Sequence, residues 1–406
     1  MKTVKKLAAL ILCVALVLSC FAGCHEKNAT VASITLDKEE YTVPAGLYLT
    51  MLINADSEAR SIVAEKLDKD GKDTTKINFS KQTVTVDKKD YKFNDYVIMR
   101  AKEMVAEYLV TAHLFTKFEL ALDENDVSAL QQYAAYQWMY NGSAYLFEPN
   151  GVSYESFEEY LRVNMYWRSD LFDYYYNEGG EKAPEKANIE KALKEHFTAA
   201  QILEISVKND EGKDLAEDKL TAIADKIQAY CDRINGGTAT FADIKAEYEA
   251  ENKKEEDKKE EDKKEEAEED KTEEESKEET KEEEEKPKPK DETISIIGND
   301  ETSVASDNYE KINELEVGKA TLLKGTDGYY RLVIKQDIMA DEYYYTTYRD
   351  ETVRIMHAED FNEFISKEAA KLKVNYDSYE LNYLKPGKVS YDEYNAWYSS
   401  MLTNYQ

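Results

Sequence analysis

Gln201-Ile-Leu-Glu-Ile-Ser-Val207 is the stretch on which the reading of this 406-residue chain turns. It is strand-like, with Leu203, Ile205 and Val207 apolar between polar Glu204 and Ser206. Upstream, from about 90 to 180, the apolar spacing is helical instead. Downstream, helix and strand signals mix. Asp214 to Ile234 is amphipathic, with Leu220, Ile223, Ile227 and Tyr230 apolar, and Gly236-Gly237 ends it. A short helix is predicted from Phe241 to Tyr248. After a charged block, the pattern resumes at Ile294-Ser-Ile-Ile297, then Tyr309 to Leu315, Gly318 to Thr321, and an Asp327-Gly328 turn leading into a strand to Ile334. The alternation specifies an α+β fold.

The N-terminal half is read in the same way. Residues 31–36 and Tyr41-Thr42-Val43 alternate like strands; Pro44 and Gly46 open a helix from about Leu47 to Leu67. Thr75 to Asp90 reads as a hairpin. From about Asp95, Ile98, Ala101, Val105, Tyr108, Ala112 and Phe115 recur at spacings of 3 and 4, a single core-facing stripe. Asp123 is the expected N-cap of the next helix, which carries Leu130, Tyr133, Ala134 and Trp138, and Ser153 that of a helix running to about Asn177. A short helix from Ile189 to His196 leads into the Gln201 strand. At the far end a long helix is expected from about Tyr343 to Leu372, then a short strand or turn and a small helix from Tyr391 to Leu402.

Residues 251–290 are almost all Glu, Lys and Asp. Such a run cannot anchor a core and reads as a disordered or single-helix insertion, spanning about 250–292 with its edges. It is either a solvated insertion or an acidic lure for cations and basic clients. The whole chain has 84 acidic and 53 basic residues, a formal charge of −31, which argues against nucleic acid as a partner. Of four cysteines only Cys231 lies beyond residue 24, so no intramolecular disulfide framework is possible there. The four histidines show no metal-ligand spacing, and no Walker loop, G-x-S-x-G or G-x-G-x-x-G motif occurs. No metal or cofactor is expected. Tyrosine stands out at 31 residues against 12 Phe and 3 Trp. Its amphipathic ring suits surfaces that are apolar yet wet, as in a peptide groove, and equally suits half-buried helix positions.

Lys2, Lys5 and Lys6 precede an apolar run from Leu7 to Leu18, closed by Phe21-Ala22-Gly23-Cys24. A basic start, a greasy run of about a dozen residues and small residues before a cleavage point describe an export signal, since a bilayer span needs roughly 20. Ala-Gly-Cys resembles a bacterial lipobox, which implies cleavage after residue 23 and a lipid on Cys24. Cys20 is a competing site, and an ordinary secretory signal is the alternative.

The segment from 198 to 337, with the charged block removed, resembles a parvulin-type peptidyl-prolyl isomerase domain. The likeness rests on Ala199-Ala200-Gln201-Ile202-Leu203, on Gly237 to Phe241 with Glu247-Tyr248, on Tyr309, Ile312, Leu315, Gly318 and Thr321, and on Gly328-Tyr329-Tyr330. With its flanks the chain resembles the PrsA and SurA extracytoplasmic folding factors. The resemblance implies a signal peptide over 1–23, a helical chaperone-like module over 24–196, a parvulin-like domain over 197–337 and a C-terminal helical segment over 338–406 that packs back on the N-terminal module. It further implies a lipid-anchored protein on the outer face of the cytoplasmic membrane, acting on unfolded or newly exported polypeptides. Gln201 and Tyr330 stand where the family has its two central histidines, and should lie together at the floor of a shallow groove. Phe241, Tyr309 and Ile312 are the candidate apolar wall for substrate. With both histidines replaced, turnover is expected to be reduced or absent and holdase activity to remain; a non-catalytic binding or structural surface lipoprotein is the alternative.

Overall fold

The computed structural model describes residues 29–72, 77–209, 211–264, 288–299 and 306–404. The export signal with Cys20 and Cys24, and residues 265–287 of the charged block, lie outside the described residues. The fold is α+β. The chain divides into two compact units, one taking in the chain up to Ala183 and from His357 onward, the other Pro184–Met356.

The first unit opens with strands β1 (Thr30–Leu36) and β2 (Glu39–Pro44), paired antiparallel. Pro44, extended at φ −71 and ψ 161, ends β2 and starts helix α1 (Ala45–Lys69). A second hairpin, β3 (Thr83–Val86) and β4 (Lys89–Lys92), is shorter than the alternation from Thr75 predicted. Phe79 does not extend a strand; it sits in a 3-10 turn, its ring 5.9 Å from Phe93. Helix α2 (Phe93–Lys117) follows at once. Ala101, Val105, Tyr108, Ala112 and Phe115 are buried as the stripe requires, and together with Leu47, Met51 and Leu52 of α1 they form the main core.

Helix α3 (Glu124–Met139) is capped by Asp123, whose carboxylate accepts the Asp126 amide at 2.8 Å. Leu130, Ala134 and Trp138 face a second core, while Tyr133 points outward. Helices α4 (Ser143–Phe147) and α5 (Tyr154–Leu161) follow, the latter capped by Ser153. The run to Asn177 is broken by a π-helical turn at Arg162–Trp167 before α6 (Arg168–Tyr176). Its 3.6-residue spacing hid the extra residue per turn.

In the second unit, α7 (Lys186–His196) leads into β5 (Phe197–Ser206), then α8 (Glu217–Asn235) and α9 (Phe241–Lys264). Helix α9 does not stop at Tyr248 as predicted. No Gly or Pro interrupts the Glu/Lys run, and such residues at i,i+4 spacing extend a helix. Lys226 on α8 pairs with Glu251 at 2.6 Å. After β6 (Ile294–Gly298) come α10 (Ser306–Asn313), β7 (Ala320–Lys324) and β8 (Tyr329–Gln336). All pairings are antiparallel, in the order β6-β5-β8-β7. One face of this sheet packs on α8 and α9 through Leu203, Ile205, Leu332 and Ile334 against Ile227, Tyr230, Cys231 and Phe241. The other packs on α10 through Ala200, Ile297 and Val333 against Tyr309 and Ile312.

Helix α11 (Glu342–Ala369) carries the chain back to the first unit, where β9 (Asn375–Tyr376) adds to the free edge of β1. A small helix α12 (Ser378–Tyr383), capped by Asp377, was not expected. The chain then runs to α13 (Asp392–Asn404). This last segment is latched twice. Asn150 and Ser390 exchange hydrogen bonds at 2.8 Å, and the Tyr391 hydroxyl donates to the buried Asp56 at 2.9 Å.

Candidate functional site

The five residues proposed from sequence do not converge. Gln201 lies opposite Ile334 and Tyr330 opposite Ile205, so both point to the α8/α9 face but four positions apart. At about 3.3 Å per residue that is about 13 Å. Phe241 is buried on that same face. Tyr309 and Ile312 are buried on the opposite one, where the Tyr309 hydroxyl donates to the Glu195 carbonyl at 2.7 Å. Neighbouring strand residues alternate between faces, so a motif match cannot by itself bring such a set to one groove.

Gln201 is fully engaged. Its amide nitrogen donates to Asp291 at 3.0 Å and Thr293 at 2.7 Å, and its oxygen accepts from Gln336 at 3.1 Å. It ties the chain returning from the charged block to the middle of the sheet. The Tyr330 ring packs on the α8/α9 cluster with the Lys324 ammonium 5.5 Å from its centroid.

The polar pair that does meet across β5 and β8 is Glu204 with Arg331, directly opposed in register. Arg331 is 2% exposed; its Nε donates to Glu204 at 2.6 Å and its Nη1 to Asp327 at 3.0 Å. Hydrogen bonding from Arg331 holds the Asp327 carboxyl below its usual range. Gly325 makes room for this arrangement: a Cβ there would stand 2.3 Å from the Asp327 carboxylate and 2.6 Å from the guanidinium. The ion pair lies on the α10 side of the sheet, with Ile202 and Val333 two positions along one way and Ser206 with the exposed Tyr329 the other. A guanidinium stays protonated and cannot exchange a proton near neutrality. Arg331 can therefore donate hydrogen bonds but cannot serve as an acid or base. The sequence signal for the ion pair was one arginine set between Tyr330 and Leu332 in an apolar stretch.

Cys231 is no nucleophile in this fold. It is buried against the other face, and burial pushes its thiol up to about 11. Among the described residues, no group of three or more His, Cys, Asp or Glu side chains is arranged to hold a metal, and no helix is long and apolar enough to cross a membrane. In the first unit a cavity of about 400 Å³ is lined by Val110, His113, Phe118, Tyr175, Phe364 and Leu372 among others. Phe118 stacks on the exposed Tyr174 beside it at 4.3 Å. Its mixture of aromatic, aliphatic and basic lining suits a peptide side chain.

Solved structures similar to the chain include two foldase proteins. Foldase protein PrsA from Streptococcus pneumoniae matches at 13% identity over 75% of this chain and 98% of its own, with a TM-score of 0.35. Foldase protein PrsA from Lactococcus lactis matches at 15% identity over 72% and 88%, with a TM-score of 0.33. Both superpositions are loose and carry no functional weight. No family model matches the sequence, and no curated protein matches it.

Proposed function

We propose that this chain is an extracytoplasmic protein-folding factor that binds unfolded or newly exported polypeptides, anchored through a lipid on Cys24. Residues 197–337 would be its parvulin-like domain, flanked by a binding module built from 24–196 and 338–406. The observation that carries the reading is the meeting of two sequence halves in one sheet. The parvulin-like stretches before and after the charged block supply β5 on one side and β6, β7 and β8 on the other, all paired antiparallel. Binding without turnover is the reading favoured within it, because Gln201 and Tyr330 stand in place of the family's two histidines and lie four positions apart along the sheet.

Two assays test this. The purified chain should slow the aggregation of a denatured secreted protein and leave the cis/trans relaxation of a proline tetrapeptide unaccelerated. Failure to alter aggregation removes the binding role. Fast prolyl isomerisation, abolished by a substitution on the β5–β8 strip, would make the chain an enzyme after all. Membrane release of a Cys24→Ser variant checks the anchor separately.

A further inference from the structure

Residues 118–161 contain no Lys, Arg or His, and neither do residues 389–406. This is unusual for a chain with 53 basic residues among 406. The fold brings the two basic-free segments together. Helix α13 starts beside α4, held by the Asn150–Ser390 pair, and its Trp397 stacks on Tyr145 of α4 at 5.8 Å. Gly142 seats the indole: a Cβ there would come within 2.3 Å of it.

Around this joint lie large side chains that the core does not use. Tyr140 is 64% exposed, Leu402 54% and Tyr136 53%, and Tyr398 and Tyr145 are exposed as well. The α13 residues Tyr394, Trp397, Tyr398 and Leu402 follow helical spacing, a stripe whose C-terminal end is exposed, Tyr398 by 51% and Leu402 by 54%. Glu148 sits two residues before Asn150, and Asp392 and Glu393 lie just past Ser390. All three carboxylates are exposed, and none makes an ion pair among the described residues.

We infer that this aromatic, acid-edged face docks polypeptide segments in which Lys or Arg alternates with apolar residues. The inference rests on the folding-factor reading and names the class of client. Charge decides the occupant. A cation here meets free carboxylates and the negative faces of tyrosine and tryptophan rings. The apolar residues beside it cover the exposed rings. A second copy of the chain would set one acid face against another, and an anionic lipid surface would be repelled in the same way.

The test uses the full mature chain and a labelled peptide of Lys, Phe and Ser, with control peptides carrying Glu or Ser at each Lys. The cationic peptide should bind and the acidic one should not, with affinity falling as salt rises. Two triple variants at exposed positions, Tyr136→Ser/Tyr140→Ser/Tyr398→Ser and Glu148→Gln/Asp392→Asn/Glu393→Gln, should each weaken binding by about tenfold or more. Unchanged circular dichroism would show that both variants fold. Equal binding of all three peptides, or unaltered affinity in both variants, overturns the inference. So does a dimer of the parent chain that the tyrosine variant disperses, since the face would then be a self-interface. If aggregation is still suppressed by both variants as well as by the parent, the folding-factor reading stands and this surface falls. If the cationic peptide binds here while aggregation is untouched, the surface stands and that reading falls.

Discussion

Arg331 sits in the middle of β8 at 2% exposure, where an unpaired charge would cost on the order of several kcal/mol. Asp327 and Glu204 offset that cost from opposite sides. Asp327→Asn should therefore lower stability by about 2–3 kcal/mol at neutral pH, the scale of a hydrogen bond to a charged group. The pH dependence follows from the depressed carboxyl. Unfolded, Asp327 titrates near 3.8; folded, it titrates lower, so its contribution is fully present above about that value and is lost as pH falls through the folded one. Thermal melts of the parent and the variant should converge in acid and separate near neutrality; a constant gap would mean that the pair contributes nothing through charge. The arginine was passed over in the sequence, although a charge between Tyr330 and Leu332 demands a partner. Its partners could not have been named in any case. Which carboxylate faces it depends on the register of β5 on β8, and local composition does not encode a register. The same limit misplaced Gln201 and Tyr330, whose neighbours in sequence matched a motif while their strand positions stood four residues apart.

At the scale of single elements, both hairpins of the first unit turn on an Asp-Lys pair. Asp37 and Lys38 have φ of 47 and 74, and Asp87 and Lys88 have 50 and 63. Two successive positive φ values make a turn whose twist suits the flanking strands, which glycine normally supplies at the second position. Aspartate tolerates the left-handed region; lysine there costs about 1 kcal/mol. Lys88→Gly should stabilise the hairpin by about 0.5–1 kcal/mol and Lys88→Val should destabilise it by a similar amount or more. Hydrogen exchange of the Thr83–Lys92 amides is the direct measure; faster exchange in the glycine variant would show that the turn is not strained. Without a Gly to mark them, these turns were visible only as gaps between alternating stretches, and the second hairpin was accordingly drawn too long. Elements whose ends carry a chemical stop were read closely. Asp123 and Ser153 cap their helices as the sequence indicated, because a side-chain oxygen three residues ahead of a bare amide is a local device. Helix α9 was ended at Tyr248 although no stop residue stands there, and its continuation to Lys264 follows the single-helix reading of the charged run.

For the molecule as a whole, the charged block poses a question of both stability and charge. Residues 265–287 alone hold 14 acidic and 4 basic residues in a chain whose net charge is −31. No side chain there is large and apolar, so the stretch cannot add to the core of the second unit, whose sheet is completed by strands on either side of it. Joining Lys264 to Lys288 through a short Gly/Ser loop should leave the fold intact, since halving a loop changes its closure cost by only about 0.6 kcal/mol. It also removes self-repulsion. The shortened chain should melt at the same temperature as the parent or slightly above it in low salt, and the two should agree in high salt, where charges more than about 10 Å apart are screened. Loss of a cooperative transition, or a melting point several degrees lower at every salt concentration, would mean that the block holds the two halves of the sheet together. If the cationic-peptide affinity falls in the shortened chain while its stability does not, the block is itself a second lure for basic clients. Unchanged affinity would instead leave the aromatic face of the first unit as the principal place where such clients bind.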